Sequence, residues 1–206
     1  MLLDWLKADP ERDPLAEWER HGRPVPPPHA VKAAVLRRYA ERYHLMVFVE
    51  TGTYRGDMVE AMKALFPKVY SIELGDRLFT EARRRFRRDP HVELIHGDSS
   101  RALGSIVARI DRPTLFWLDG HYSAGDTAKG EKDTPIYEEL DQIFRAPDLG
   151  HVIIIDDARC FGADPAYPTI EALRAYVSSW RPDAGIAIED DSIRITPPPP
   201  EPSRPS

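Results

Sequence analysis

Apolar and polar positions alternate between two rhythms along this chain. Short apolar runs bounded by polar residues read as strands buried on both faces, and stretches with apolar positions recurring every three or four residues read as helices. This spacing predicts strands at 46–50, 69–74, 92–96, 114–118 and 151–155, and helices at 58–66, 76–88, 100–110, 135–144 and 169–180. Ahead of them, Val31, Ala34, Val35, Ala40 and Tyr43 recur with near-helical period, predicting a helix from 30 to about 44. After them, strands at 185–189 and 192–196 flank Glu189-Asp190-Asp191-Ser192, a hairpin by spacing. Local signals agree: Asp76 lies in a first helical turn, Ser99 or Ser100 can cap the next helix, and Pro135 sits where a helix tolerates proline. Five β-α units followed by a hairpin imply an α/β chain with a doubly wound, mostly parallel, seven-stranded Rossmann-like sheet and a C-terminal antiparallel hairpin. Residues 1–29, charged and proline-bearing, read as an N-terminal arm with a short helix at 2–7. Residues 30–196 are the main domain, and the Pro-rich tail 197–206 reads as disordered.

Composition narrows the classes. The chain has 206 residues and a formal charge of -6, so no global basic field points to nucleic acid. Arg83, Arg84, Arg85, Arg87 and Arg88 cluster on one helix around a single aromatic, Phe86, in an acidic chain with no further basic cluster, and read as a solvated face. Trp5, Trp18, Trp117 and Trp180 are dispersed and read as packing residues. A single cysteine, Cys160, excludes a disulfide framework and a cysteine-based zinc site, which fits a reducing cytoplasm. No stretch reaches the ~18 apolar residues of a membrane span. An excess of Arg over Lys hints at a GC-rich bacterial genome.

The most informative chemistry lies just past two of the apolar runs. Thr114–Leu118 is followed by Asp119-Gly120-His121, and the run at 152–155 by Asp156-Asp157. If these strands are neighbours, their carboxyl ends lie about 5 Å apart and three carboxylates converge. Like charges that close repel unless a cation offsets them, and a divalent metal bound by oxygen is the simplest resolution. Otherwise Asp156-Asp157 is a loop or cap, and Asp119 contacts only an organic ligand, without metal.

After the first strand comes Glu50-Thr51-Gly52-Thr53-Tyr54-Arg55-Gly56. Its glycines permit a tight turn and a close backbone approach to a ligand. No Walker lysine follows, and the three-glycine dinucleotide fingerprint is incomplete. Glu50 disfavours a pyrophosphate and suits a ligand with a positive centre, such as the sulfonium of S-adenosylmethionine. Glu73 ends the second strand ~20 residues beyond the turn, where a carboxylate accepts from a ribose diol; the alternative is a solvated strand-end charge. Asp98, followed by Ser99, ends the third strand and either accepts from an adenine amino group, caps the next helix, or both.

The run Glu50–Gly56, then Glu73, then Asp98, resembles the successive motifs of class I S-adenosylmethionine-dependent methyltransferases over about residues 46–196. Asp119 with Asp156-Asp157 resembles the metal site of the divalent-cation-dependent O-methyltransferases, both the catechol type and the macrocin-type sugar enzymes. The resemblance implies donor contacts from Glu50, Gly52, Thr53, Tyr54, Gly56, Glu73, Asp98, Ser99 and Asp119. It implies Mg²⁺ or another divalent cation on Asp119, Asp156 and Asp157. The catechol type carries a lysine three residues after its first Asp, where this chain has Tyr122. His121 is the nearest base, and it either accepts the proton or holds its loop.

The expected activity is metal-assisted O-methylation of a small-molecule hydroxyl on a sugar, polyketide or phenolic metabolite, with no nucleic-acid or membrane partner. The rivals are a metal-independent methyltransferase, a nicotinamide-dependent oxidoreductase and a binding module without catalysis. The polar loop from His121 to Asp133, with Tyr122, Asp126, Lys129 and Lys132, reads as a lid or as a surface loop. The arm either covers the acceptor or contributes to a homodimer.

Overall fold

The computed structural model describes residues 13–119 and 134–198. In chain order its elements are α1 (Pro14–Arg20), α2 (His29–Arg42), β1 (Val47–Thr51), α3 (Asp57–Met62), β2 (Lys68–Glu73), α4 (Asp76–Arg85), β3 (Val92–His96), α5 (Ser99–Val107), β4 (Thr114–Leu118), α6 (Ile136–Phe144), β5 (Val152–Ile155), α7 (Ile170–Trp180), β6 (Gly185–Glu189) and β7 (Ser192–Thr196). The strands form one seven-stranded sheet in the order β3-β2-β1-β4-β5-β7-β6. β1 to β5 are parallel, β7 runs antiparallel to β5, and β6 closes the edge as its hairpin partner. The doubly wound sheet with a terminal hairpin is therefore present.

The apolar runs become the central strands because both faces of those strands are covered. Every residue of β1, β4 and β5 is buried. Side chains alternate across the pleat. Phe116 and Leu118 join Leu103, Leu140 and Leu173 on the face covered by α5, α6 and α7. Leu115 and Trp117 join Leu36, Val59 and Met62 on the face covered by α2 and α3. No helix among the described residues is long and apolar enough to cross a membrane.

The structure departs from the pattern in a few places. Within the expected arm, Pro14–Arg20 forms a helix: Asp13 caps it by accepting from Leu15 N at 3.0 Å, and proline opens it. Leu15 and Trp18 are buried in the α2–α3 core. Seven residues offer only one apolar pair at i,i+3, too little for a period to register. α3, α4 and α5 each end three to four residues before the predicted limit, because the closing residues pass into turns at 63–65, 86–88 and 108–109. Trp18 and Trp117 are buried, and Trp180 packs against the α5–α7 core, as packing residues should. Arg83, Arg84 and Arg85 are exposed in the last turn of α4. The helix expected at 2–7, Trp5, the loop 120–133 with His121, and residues 199–206 lie outside the described residues.

Candidate functional site

The strand order reverses between β1 and β4, so a crevice opens beyond their carboxyl ends, the place where open α/β sheets bind ligands. The turn after β1 lines one side. Gly52 and Gly56 hold φ of +86° and +79°, and Tyr54 between them holds +49°. At Gly56 a side chain is excluded twice over: the backbone is left-handed, and a Cβ would stand 2.6 Å from Phe86 Cε2. Gly52 N and Thr53 N both donate to Ile72 O, at 3.0 and 3.1 Å, which lashes the turn to β2.

Three acids serve this turn differently. Glu73 is buried at the end of β2; its Oε2 accepts from Tyr54 N at 2.7 Å and its Oε1 from Gly75 N at 2.8 Å. The carboxylate is thus fixed by two backbone amides and is not a solvated strand end, and each oxygen keeps a lone pair. Glu50 lies beneath the turn, accepting from Ser71 Oγ at 2.6 Å, while Ser71 Oγ also meets Thr53 Oγ1 at 2.6 Å. Burial pushes the Glu50 carboxyl up to about 8, against the opposing pull of the Ser71 hydrogen bond. Asp98 caps α5 by accepting from Ser100 N at 2.9 Å, with Ser99 buried beside it.

The second side of the crevice is the acidic corner. β4 and β5 pair in parallel with Leu118 opposite Ile155, so Asp119 and Asp156 leave adjacent strands at the same level. Asp119 N donates to Thr51 O at 3.2 Å and Asp156 N to Leu118 O at 3.1 Å, extending the ladder into both loops. Asp157 turns left-handed at φ +57° and begins a 3-10 turn, Ala158–Cys160. The three aspartates each place a carboxylate oxygen within 4.8 Å of the others. Burial raises the Asp119 carboxyl well above the usual carboxylate range, and the Asp156 charge raises it further. Asp156 is raised too, chiefly by burial, against the pull of Lys32.

Two cations outside the expected site hold this corner. Lys32 of α2 donates from Nζ to Asp156 Oδ2 and stands 4.0 Å from Asp157 Oδ1, 6.0 Å from the centre of the Trp117 ring. Burial alone would lower the Lys32 ammonium, but Asp156, Asp119 and Asp157 together raise it, so it is charged. Arg159 donates to Asp157 Oδ1 at 2.8 Å and to Asp191 Oδ2. Asp191 belongs to the β6–β7 turn, where Asp190 and Asp191 both adopt positive φ, as a two-residue type I′ hairpin requires. Lys32 had a signal: with Val35 and Leu36 it forms an i,i+3,i+4 set, placing a lysine on the core side of an amphipathic helix.

No family model matches the chain, and no curated protein matches it by sequence. Solved structures share its fold. The O-methyltransferase of Bacillus cereus in complex with SAH superposes with a TM-score of 0.59 at 15% identity, over 92% of this chain and 93% of that one. TomG, an O-methyltransferase of Streptomyces achromogenes involved in tomaymycin synthesis, in complex with SAM, gives 0.58 at 17% identity, over 91% of each chain. The fold is the one these methyltransferases share. It is also that of the N-methyltransferase NodS of Bradyrhizobium japonicum, at TM-score 0.55 and 13% identity, over 89% of this chain and 98% of that one. The methyltransferase fold alone therefore does not choose the acceptor atom.

One further acid borders the crevice. Glu139, in the first turn of α6, is buried, and its Oε1 completes no hydrogen bond among the described residues. The hydroxyls of Ser99 and Thr51 lean toward it and favour its ionised form, yet burial prevails and lifts the carboxyl from 4.5 to about 7. Between those values the folded protein keeps a proton that the unfolded chain has lost, so rising pH favours unfolding in that window. Glu139→Gln is expected to flatten the fall in stability from pH 4.5 to 7; urea unfolding across this range measures it, and an unchanged slope would mean that Glu139 ionises normally.

Proposed function

We propose that the protein transfers the methyl group of S-adenosylmethionine to a hydroxyl of a small molecule, assisted by a divalent cation held on Asp119, Asp156 and Asp157. The observation that carries this reading is the convergence of three strand-end carboxylates beside the Glu50–Gly56 turn, at the switch point of a sheet shared with methyltransferases bound to SAM or SAH. The donor set fits a hard divalent ion: all three ligands are carboxylate oxygens, and the corner already attracts a cation in the form of Lys32. When bound, the donor supplies an electrophilic methyl on a sulfonium, and the ion lowers the pKa of an acceptor hydroxyl.

The chain's own residues do the rest. Glu73, fixed by Tyr54 N and Gly75 N, offers its free lone pairs to the ribose diol. Gly52 and Gly56 bring the backbone close to the donor, with Thr53 and Tyr54 lining the same turn, and Asp98 and Ser99 face the adenine. Asp119, whose N donates to Thr51 O, is the member of the acidic corner tied to the end of β1, and so would set donor against acceptor. Such alignment is worth ~7–11 kcal/mol in favourable systems. His121, two residues past Asp119, is the proton acceptor in this proposal.

A second reading keeps the donor chemistry without metal. Lys32 already compensates the corner, so the acids can serve donor binding and orientation alone. Turnover measured before and after exhaustive chelation separates the two, and activity that persists unchanged sinks the metal reading. Titration with S-adenosylhomocysteine and with NAD tests the donor itself. Tight binding of the former only is expected; NAD binding alone would point to an oxidoreductase. Glu73→Ala is expected to weaken S-adenosylhomocysteine binding by roughly 1.5–3 kcal/mol, the range for a charged hydrogen bond. An unaltered dissociation constant would remove Glu73 from the ribose.

A further inference from the structure

We infer that Lys32 is an internal competitor for the acidic corner: its ammonium occupies Asp156 when no divalent ion is bound and must leave for one to bind. The inference rests on the metal reading above and adds to it a residue that sets metal affinity. Lys32 Nζ donates to Asp156 Oδ2, one of the oxygens a divalent ion would need. The same nitrogen lies 4.0 Å from Asp157 Oδ1. A divalent ion sits about 2.1 Å from its carboxylate oxygens, so ammonium and ion cannot share this corner without strong repulsion in a poorly solvated site.

Lys32 is also the cation able to move. Arg159 is held by Asp191 as well as by Asp157, so losing Asp157 leaves it paired. Lys32 has Asp156 and Asp157 as its charged contacts among the described residues, and its side chain is 20% exposed, so a route outward exists. Asp190 and Ser192 line the same small pocket as Lys32 and Asp156, so the ammonium has a polar side to shift toward. A purely structural ion pair makes the opposite forecast. Removing Lys32 would then weaken the site or the fold and would not improve cation binding.

The test measures binding of Mn²⁺ alone to the full chain by electron paramagnetic resonance, for wild type, Lys32→Met and Lys32→Arg. Lys32→Met is expected to bind Mn²⁺ at least about tenfold more tightly than wild type, because one unit charge leaves the corner. Lys32→Arg, which keeps the charge, is expected to bind as wild type does. Equal affinity in wild type and Lys32→Met overturns the inference while leaving the metal reading intact. Absence of Mn²⁺ binding in all three proteins overturns both. Should Lys32→Met fail to fold, the wild type still decides: acylation of Lys32 by an amine-reactive ester, read by mass spectrometry, is expected to rise when Mn²⁺ is added. No rise at saturating Mn²⁺ overturns the displacement.

Discussion

Asparagine in place of Asp156 is expected to slow methyl transfer by roughly a hundredfold to a thousandfold, equivalent to about 2.7–4 kcal/mol, by removing a charged ligand from the divalent ion proposed to polarise the acceptor. The dissociation constant of S-adenosylhomocysteine should stay within about threefold of wild type, since the residues proposed to grip the donor, Glu73 and the Gly52–Gly56 turn, are fixed through β2 and not through Asp156. The fold should tolerate the change. At buried Asp156 asparagine is nearly isosteric, its amide oxygen can still accept from Lys32 Nζ, and the ammonium keeps Asp157 Oδ1 at 4.0 Å, so the cation is not left unpaired. The steric match leaves the backbone bond to Leu118 O untouched. Kinetics with saturating donor and direct donor titration separate the two effects. If turnover and donor affinity fall together by the same factor, Asp156 belongs to donor binding and holds no ion.

This corner could be read from the sequence because of how parallel strands are buried. β4 and β5 are covered on both faces and carry no charged residue, so their ends are marked by the first one that follows. Parallel pairing then puts the ends of neighbouring strands at one level, as Leu118 and Ile155 show. The place of Glu73 at the end of β2 was legible in a similar way, from the apolar run that precedes it. Lys32 was not assigned, because its role depends on α2 crossing over the ends of β4 and β5, a contact between residues more than a hundred positions apart. Glu139 was overlooked for a different reason. An acid in the first turn of a helix is an ordinary favourable partner of the helix dipole, and only packing of α6 against α5 shows that this one is buried without a full set of hydrogen bonds. The Arg159–Asp191 link needed the hairpin to fold back beside β5, which spacing suggests but does not aim.

The same dependence on packing governs the N-terminal segment, where Trp18→Ala is expected to destabilise the protein by about 3–5 kcal/mol, the usual cost of removing a buried tryptophan. Only 1% of Trp18 is exposed, its Nε1 donates to Pro24 O at 2.9 Å, and the Arg23 guanidinium lies 5.8 Å from the ring centre. The residue therefore fastens α1 and also the proline-rich strand of chain that leads into α2. Since α2 carries Lys32, loosening its approach should disturb the acidic corner as well as the core. Urea unfolding of Trp18→Ala measures the stability change, and Mn²⁺ binding by the folded fraction measures the effect at the corner. A loss below about 1 kcal/mol would show that α1 detaches without opening the core, since a residue that is part of the cooperative unit cannot be removed so cheaply. A full loss would make residues 13–29 part of the folding unit that builds the site, and Lys32 would owe its aim to a segment that by composition reads as an arm.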